Sequence, residues 1–458
     1  MISYIFPPLG SGANQRTARF VKYLGHFGWT PIVLTVKNGY YRYRDDYFLK
    51  IIPDSVKIYR AFSLEPARLE PYTRPITSVL KSLIRIFLRS KAVSVISQAG
   101  DSPTISVEDI IGDRENPSPG VRGLYMKLMR MFKTYILIPD GRIGWLPFAV
   151  LMGVKIIYRE RPSVIWANAD TPSDLLIGCC LKKITRRKLV LNFSDPWVLN
   201  AYYPFDHKSL RGHIDSLLER IVISKADRIV FATQPMQCDY EKEYKDESSK
   251  FCMILNGYDP DEFKEIPSSW NGEKFILTYC GSLQYFRSPE PFLKAVEGLI
   301  DQYPGILSTL LVRFVGKIDH DNLRYFESFK YKTMLHLTGQ VSYQESLKYV
   351  LQSDACLVIG ATKLLDWELP GKVFEFMAAK KPILVISQKI AVAKLVEELN
   401  VGIVVSPDNV HSIQTAILNL IEGRSDQGYY KDKERLIEIY SRKSLTGELA
   451  ACFDDLLR

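Results

Sequence analysis

The segment Leu369-Pro370-Gly371-Lys372-Val373-Phe374-Glu375-Phe376-Met377-Ala378-Ala379-Lys380-Lys381-Pro382 brings together the residue types that a phosphorylated ligand needs. Pro370 suits a helix start, and Phe374, Met377 and Ala378 recur at helical spacing until Pro382 ends the helix before an apolar run. A loop that delivers Gly371 and Lys372 to a helix start makes an anion site, because unpaired N–H groups and an ammonium converge there. Glu375, one turn inside, is placed to accept hydrogen bonds from a ribose. The combination reads as a nucleotide diphosphate site; the same string also describes a capped helix with an exposed Glu and Lys. A second glycine loop, Phe6-Pro7-Pro8-Leu9-Gly10-Ser11-Gly12-Ala13-Asn14-Gln15-Arg16, follows an apolar start. Gly10 and Gly12 would let the backbone approach an anion, although a plain tight turn fits equally. Gln15 stands where the dinucleotide fingerprint requires a third glycine, and no Walker lysine pattern occurs, so NAD-type and P-loop sites are disfavoured.

Asp195, in Ser194-Asp195-Pro196-Trp197 after an expected strand, sits where a contact to an acceptor or a donor sugar would be useful, or else forms an Asp turn before Pro196. Asp140, Trp145, Asn168 and Asp170 are candidates of second rank. The six His form no pair at metal spacing and no metal site is expected. Seven Cys without C-x-x-C spacing suggest reduced, buried filler in place of a disulfide frame or a zinc site.

Elements that position these residues recur as short runs rich in Ile, Val and Leu. The first series is Ile2 to Phe6, Pro31 to Val36, Val56 to Arg60, Val164 to Ala167, Leu189 to Phe193, Arg228 to Ala232 and Phe251 to Leu255. A second comprises Ile276 to Cys280, Leu311 to Val315, Ala355 to Ile359, Ile383 to Ile386 and Gly402 to Val405. Such runs alternating with helical stretches predict an α/β fold with parallel sheets covered on both faces, in two Rossmann-like domains. The turn-rich stretch from Asn256 to Lys274 is the expected linker, which puts the first domain at 1–265 and the second at 266–435, followed by a C-terminal helical segment at 436–458. Ligands of open α/β sheets bind beyond the carboxyl ends of the strands, so the active site is expected in a cleft between the two domains. Residues 77–90, with Lys81, Arg85 and Arg89 opposite Leu80, Ile84 and Phe87, read as a basic amphipathic helix, and 121–138 repeat the style.

A chain of 458 residues suits two or three domains, and a charged fraction of 24% with mean hydropathy −0.06 excludes disorder, collagen and coiled coil. No stretch reaches membrane-spanning length without charge and Met1 to Pro8 has no signal-peptide pattern, so the expected compartment is the cytoplasm. The net charge of +9 is uneven: residues 1–250 carry a surplus of 13 positive charges and the remainder a deficit of 4. That asymmetry predicts a polyanionic or anionic-membrane partner, and no nucleic-acid-binding signature accompanies it.

Several stretches together resemble one family: Pro7-Pro8-Leu9-Gly10-Ser11-Gly12, Phe20 to Leu24, Gly28-Trp29-Thr30-Pro31, Ile138-Pro139-Asp140 with Trp145, Asn192 to Trp197, Asn256-Gly257-Tyr258-Asp259, Gly281-Ser282-Leu283 with Arg287, and Pro370 to Glu375. In this order they are similar to the family 4 retaining glycosyltransferases of the GT-B fold, in the branch that builds bacterial surface polysaccharides and lipid-linked glycans. The resemblance implies that the second domain holds a nucleotide-sugar donor, UDP- or GDP-linked, and that Glu375, as the last Glu of an E-x7-E motif, contacts the ribose. Trp367 falls on the first position of that motif, with Glu368 displaced by one. Gly281, Ser282 and Arg287 match the loop that carries charge for the diphosphate, with Ser282 where an Arg is common. It further implies transfer with retention to a glycan or polyprenyl-linked acceptor, with no required cofactor or metal. A nucleotide-sugar epimerase of similar architecture and a degenerate, non-catalytic scaffold are the competing readings.

Overall fold

The computed structural model describes residues 1–9, 12–37, 39, 44–64, 131, 134–264, 272–284, 286–361, 366–388, 390–423 and 428–458, the side chains of 12 and 13 excepted. Gly10, the basic segment 77–90 and most of 121–138 therefore lie outside the described residues. Two compact units emerge: Met1–Asn14, Pro31–Arg44 and Asp54–Ile229 form the first, and Gln15–Thr30, Asp45–Pro53 and Val230–Arg458 form the second.

In the first unit, β1 (Ile32–Val36) pairs in parallel with β2 (Lys57–Ala61), and β3 (Val164–Asn168) with β4 (Lys188–Phe193). Ile2 bridges Leu34 of β1 and Ala167 of β3, so the chain's opening segment lies between them. The expected strand from Ile2 to Phe6 is thus a single bridging residue. Its ladder stops because the Tyr4 N–H turns aside to the carboxylate of Asp174, 2.9 Å away. β5 (Arg228–Phe231) straddles the boundary of the two units, and β6 (Phe251–Met253), which pairs with it, belongs to the second. Helix α1 (Gly12–Leu24) follows the first glycine loop, while α2 (Leu146–Glu160) and α3 (Pro172–Thr185) precede and follow β3. Helix α4 (Leu210–Lys225) leads to β5, and α5 (Gln234–Glu243) follows it.

The second unit contains a six-stranded parallel sheet built from β7 (Phe275–Cys280), β8 (Leu310–Val315), β9 (Leu335–Gly339), β10 (Ala355–Ile359), β11 (Ile383–Ile386) and β12 (Gly402–Val405). Their spatial order is β12-β11-β10-β7-β8-β9. Counted from β7 this is 3-2-1-4-5-6, so chain direction across the sheet reverses between β7 and β10. β7, β10 and β11 are buried throughout, which explains their unbroken apolar sequences, whereas β9 and β12 at the edges are partly exposed. β9 escapes sequence reasoning for that reason: only two of the five residues of Leu-His-Leu-Thr-Gly are apolar.

Period-two alternation divides the core. Phe275, Leu277 and Tyr279 of β7 and Leu357 of β10 pack under α6 (Glu290–Gln302), with Phe326 of α7 (His320–Ser328) and Ile413 and Ile417 of α11 (Val410–Glu422). Cys280, Cys356 and Val358 face the other way, toward Val350 of α8 (Tyr343–Leu351), Phe374 and Met377 of α9 (Lys372–Ala378) and Val392 and Val396 of α10 (Ala391–Leu399). Helix α12 (Arg442–Leu457) starts at Ser441, whose hydroxyl accepts the N–H of Ser444. Among the described residues no helix is long and apolar enough to cross a membrane.

Candidate functional site

The reversal point of the six-stranded sheet gathers loops from β7 and β10. After β7 the chain turns through Gly281 at φ +143° and meets Gly316 at φ +129°. A Cβ on Gly316 would lie 2.2 Å from the carbonyl oxygen of Gly281, so this crossing requires glycine. Ser282 is exposed and its carbonyl accepts the Tyr279 hydroxyl at 3.1 Å. Arg287 donates from Nε to Glu368 Oε1 at 2.9 Å and from Nη2 to the same oxygen, while its own carbonyl accepts Asn322 Nδ2 at 3.1 Å. Glu368 is buried, and its second oxygen accepts the Ala361 N–H at 3.1 Å just beyond β10. One carboxylate therefore clamps the two loops together. The displaced Glu of the motif is bound to the loop arginine.

Lys372 and Glu375 form the other pair. Pro370 and Gly371 lead into α9, their carbonyls accepting the N–H groups of Val373 and Phe374. α9 has only seven residues, so the positive charge at its start comes mainly from Lys372. The Lys372 ammonium lies 3.0 Å from Glu375 Oε2 and 3.1 Å from Ser346 Oγ. Burial works to lower Lys372, but the adjoining Glu375 carboxylate prevails and holds it above the ordinary lysine range. Glu375 is 1% exposed, which overturns the picture of a solvated helix with an exposed Glu. Its Oε1 accepts the Tyr343 hydroxyl at 2.9 Å. Arg19 stands 3.8 Å from Glu375 and forks onto Glu262 at 2.7 to 3.1 Å, and Glu262 in turn contacts the Tyr343 hydroxyl at 2.7 Å. The two pairs flank the end of β7, with Tyr279 in the field of Arg287 and Glu368, and Cys280 in that of Lys372 and Glu375.

Sequence reasoning did not single out Arg19, Glu262 or Tyr343. The first two come from distant parts of the chain, and Tyr343 reads as an ordinary helix-start aromatic. The sequence holds two Asp-x-Asp triplets, at 259–261 and 319–321. Asp259 and Asp261 receive Lys22 and Tyr23, with Lys264 also on Asp261, and Asp319 caps α7 by accepting the Asn322 N–H.

In the first unit Asp195 is exposed two residues beyond β4, and Gly12 is the first residue of α1. Asn168 and Asn192 are opposed at the ends of β3 and β4, where Asn192 Nδ2 donates to Asn168 Oδ1 at 3.0 Å. Asp140 accepts the N–H groups of Ser173 and Arg142 at 2.7 Å and the Ser173 hydroxyl at 2.9 Å, anchoring the start of α3. Burial pushes its carboxyl up despite these donors. Trp145 is fully buried, edge-on to Tyr4 with ring centres 5.5 Å apart. Asp140 and Trp145 thus hold the scaffold.

Comparison with known proteins follows the same geography. Residues 274–423, from the residue before β7 to the end of α11, match the family model of the glycosyl transferases group 1. That match spans all six strands of the second unit's sheet. No curated protein matches the chain in sequence. In three dimensions it is similar to a glycosyltransferase from Rickettsia africae (12% identity, TM-score 0.59), covering 100% of this chain and 98% of that one. It is also similar to Anabaena HepE in complex with UDP-glucose (12% identity, TM-score 0.60), covering 99% and 98%. Sucrose-phosphate synthase from Thermosynechococcus elongatus gives 13% identity and TM-score 0.57 over 98% and 94%. These likenesses identify the fold as GT-B, with two Rossmann-like domains.

Proposed function

We propose that the chain transfers a sugar from a nucleotide-diphosphate sugar, UDP- or GDP-linked, to a glycan or polyprenyl-linked acceptor with retention, in cell-surface polysaccharide synthesis. The functional division would follow 1–265 on the acceptor side and 266–435 on the donor side. The observation that carries this reading is the placement of Arg287 with Glu368 and Lys372 with Glu375 at the reversal point of a sheet matched by the group 1 glycosyl transferases.

The chemistry asks for charge and position. As the nucleotide diphosphate departs, negative charge grows on its oxygens while the sugar becomes oxocarbenium-like. Arg287 and Lys372 would stabilise the leaving group, Glu375 would orient the ribose, and Gly281, Ser282, Pro370 and Gly371 would shape the backbone around the phosphates. Glu368, and Asp195 with the loop of Gly10 and Gly12 on the acceptor side, would contact or position the reacting sugar. The leaving phosphate can take the acceptor's proton from the same face, so neither a divalent metal nor a dedicated base enters the scheme. Work at the cytoplasmic face of an anionic membrane is supported by the basic first half of the chain.

The test is a thermal-shift series against UDP, GDP, ADP, CMP and dTDP and their sugars, followed by a transfer assay. Nucleotide at about a hundred times its Kd should stabilise the protein by about 2.7 kcal/mol. Glu375→Ala should abolish the shift and Arg287→Ala the transfer; full transfer by both variants would overturn the reading. One observation favours the non-catalytic alternative: Arg287 and Lys372 are already engaged by internal carboxylates. Nucleotide binding without turnover, unchanged by acceptor, would decide for it.

A further inference from the structure

We infer that Tyr343 is the positioning residue of the donor site, its hydroxyl setting Glu375 for ribose recognition and its ring seating Lys372 for the diphosphate. The inference rests on the proposed donor reading of Glu375 and Lys372. Tyr343 opens α8, and its hydroxyl lies 2.9 Å from Glu375 Oε1 and 2.7 Å from Glu262 Oε2. Its ring is flanked by cations, with Lys372 Nζ 4.8 Å and the Arg19 guanidinium 5.0 Å from the centroid. Phe48 packs against the ring at 5.2 Å, so the side chain has little freedom to leave.

One hydroxyl carries one proton, and two carboxylates compete for it. Glu262 already has the Arg19 fork. Glu375 has no such fork, and Lys372 lies against its other oxygen. The Tyr343 hydroxyl is therefore the neutral donor that fixes how the Glu375 carboxylate is turned. A carboxylate has more lone-pair sites than Tyr343 and Lys372 use, and Oε2 makes no hydrogen bond, so acceptors for two vicinal ribose hydroxyls remain once the bound nucleotide displaces what covers this buried side chain. The same residue acts on both ends of the expected ligand, through Glu375 at the ribose and through Lys372 at the diphosphate.

Ribose discrimination separates this role from mere packing. Isothermal titration of the full chain with UDP, 2′-deoxy-UDP and 3′-deoxy-UDP, and with the guanosine series, gives the ratio of ribose to deoxyribose affinity. Tyr343→Phe keeps the ring and removes only the hydroxyl, so it should lower that ratio about tenfold or more, toward one, together with a lowered melting temperature because two buried carboxylates lose a donor. Lys372→Met should weaken all the nucleotides alike and leave the ratio as in wild type. A Tyr343→Phe protein that folds and discriminates as wild type does would overturn the positioning role while the donor reading stands. Wild-type protein that binds no nucleotide would overturn both. If Tyr343→Phe does not fold, Glu262→Gln carries the test: its amide can donate to the Tyr343 oxygen and direct the hydroxyl proton to Glu375. The ratio should then rise, and an unchanged or lower ratio would sink the inference.

Discussion

Arg19, Glu262 and Tyr343 show how much charge the second unit holds away from water. Arg19 is 1% exposed, and Glu262, Tyr343 and Glu375 lie within one connected set of contacts. Removing one partner of such a set leaves a buried charge uncompensated, so Arg19→Leu should lose about 3–5 kcal/mol in urea denaturation. Arg19→Leu with Glu262→Leu should recover much of that loss. Asp261 gives a prediction of a different kind. Hydrogen bonds from Lys22 and Lys264, with Tyr23 adding to them, hold its carboxyl well below the usual carboxylate range. The unfolded chain therefore takes the proton first as pH falls. The stability from Asp261 is complete above about pH 5 and disappears as pH drops through the folded-state value. Denaturation midpoints of wild type and Asp261→Asn should differ by a constant amount above about pH 5 and converge in stronger acid. None of these pairings was legible beforehand. Lys372 and Glu375 were singled out from one short string and Arg287 and Glu368 from the family resemblance, whereas Arg19 and Glu262 are 243 positions apart.

At the scale of elements, the loops after β7 and β8 depend on each other. Gly316 has a backbone conformation that L side chains rarely adopt, and a Cβ there would strike the Gly281 carbonyl. Gly316→Ala should cost about 1–3 kcal/mol and weaken nucleotide binding with it, because the displaced segment carries Ser282 and leads to Arg287. A thermal melt with and without nucleotide reads both effects; an unchanged melt would show that the crossing tolerates a methyl group. Buried strands were readable from their apolar runs, and α9 from the Pro370 and Pro382 that bracket it. β9 was not, because an edge strand is not required to be apolar on both faces. Nor was the early end of the first segment, which comes from a hydrogen bond between Tyr4 and Asp174, 170 positions away. The reach of α12 was overestimated at its start: Ser441 caps it, and the preceding Glu434–Glu438 is a separate helical turn.

For the molecule as a whole, net charge and fold lead in different directions. A charge of +9 concentrated in the first half should draw the full chain to anionic vesicles at about 0.05 M salt and release it at about 0.5 M. Neutralising Lys81, Arg85 and Arg89 should abolish pelleting in co-sedimentation, and equal pelleting of variant and wild type would remove those residues from the account. What the sequence by itself determined is the α/β class, most of the parallel strands and the helix bracketed by Pro370 and Pro382. Each of these is written in local periodicity or in a short string, because backbone geometry fixes the spacing of side chains along a strand or helix. Only the tertiary structure decided the sheet order 3-2-1-4-5-6, the joining of Arg287 to Glu368 across 81 positions, and the burial of Glu375 beneath Tyr343. Such contacts are made by loops closing and faces packing, and a contact between distant segments leaves no period in the chain to read.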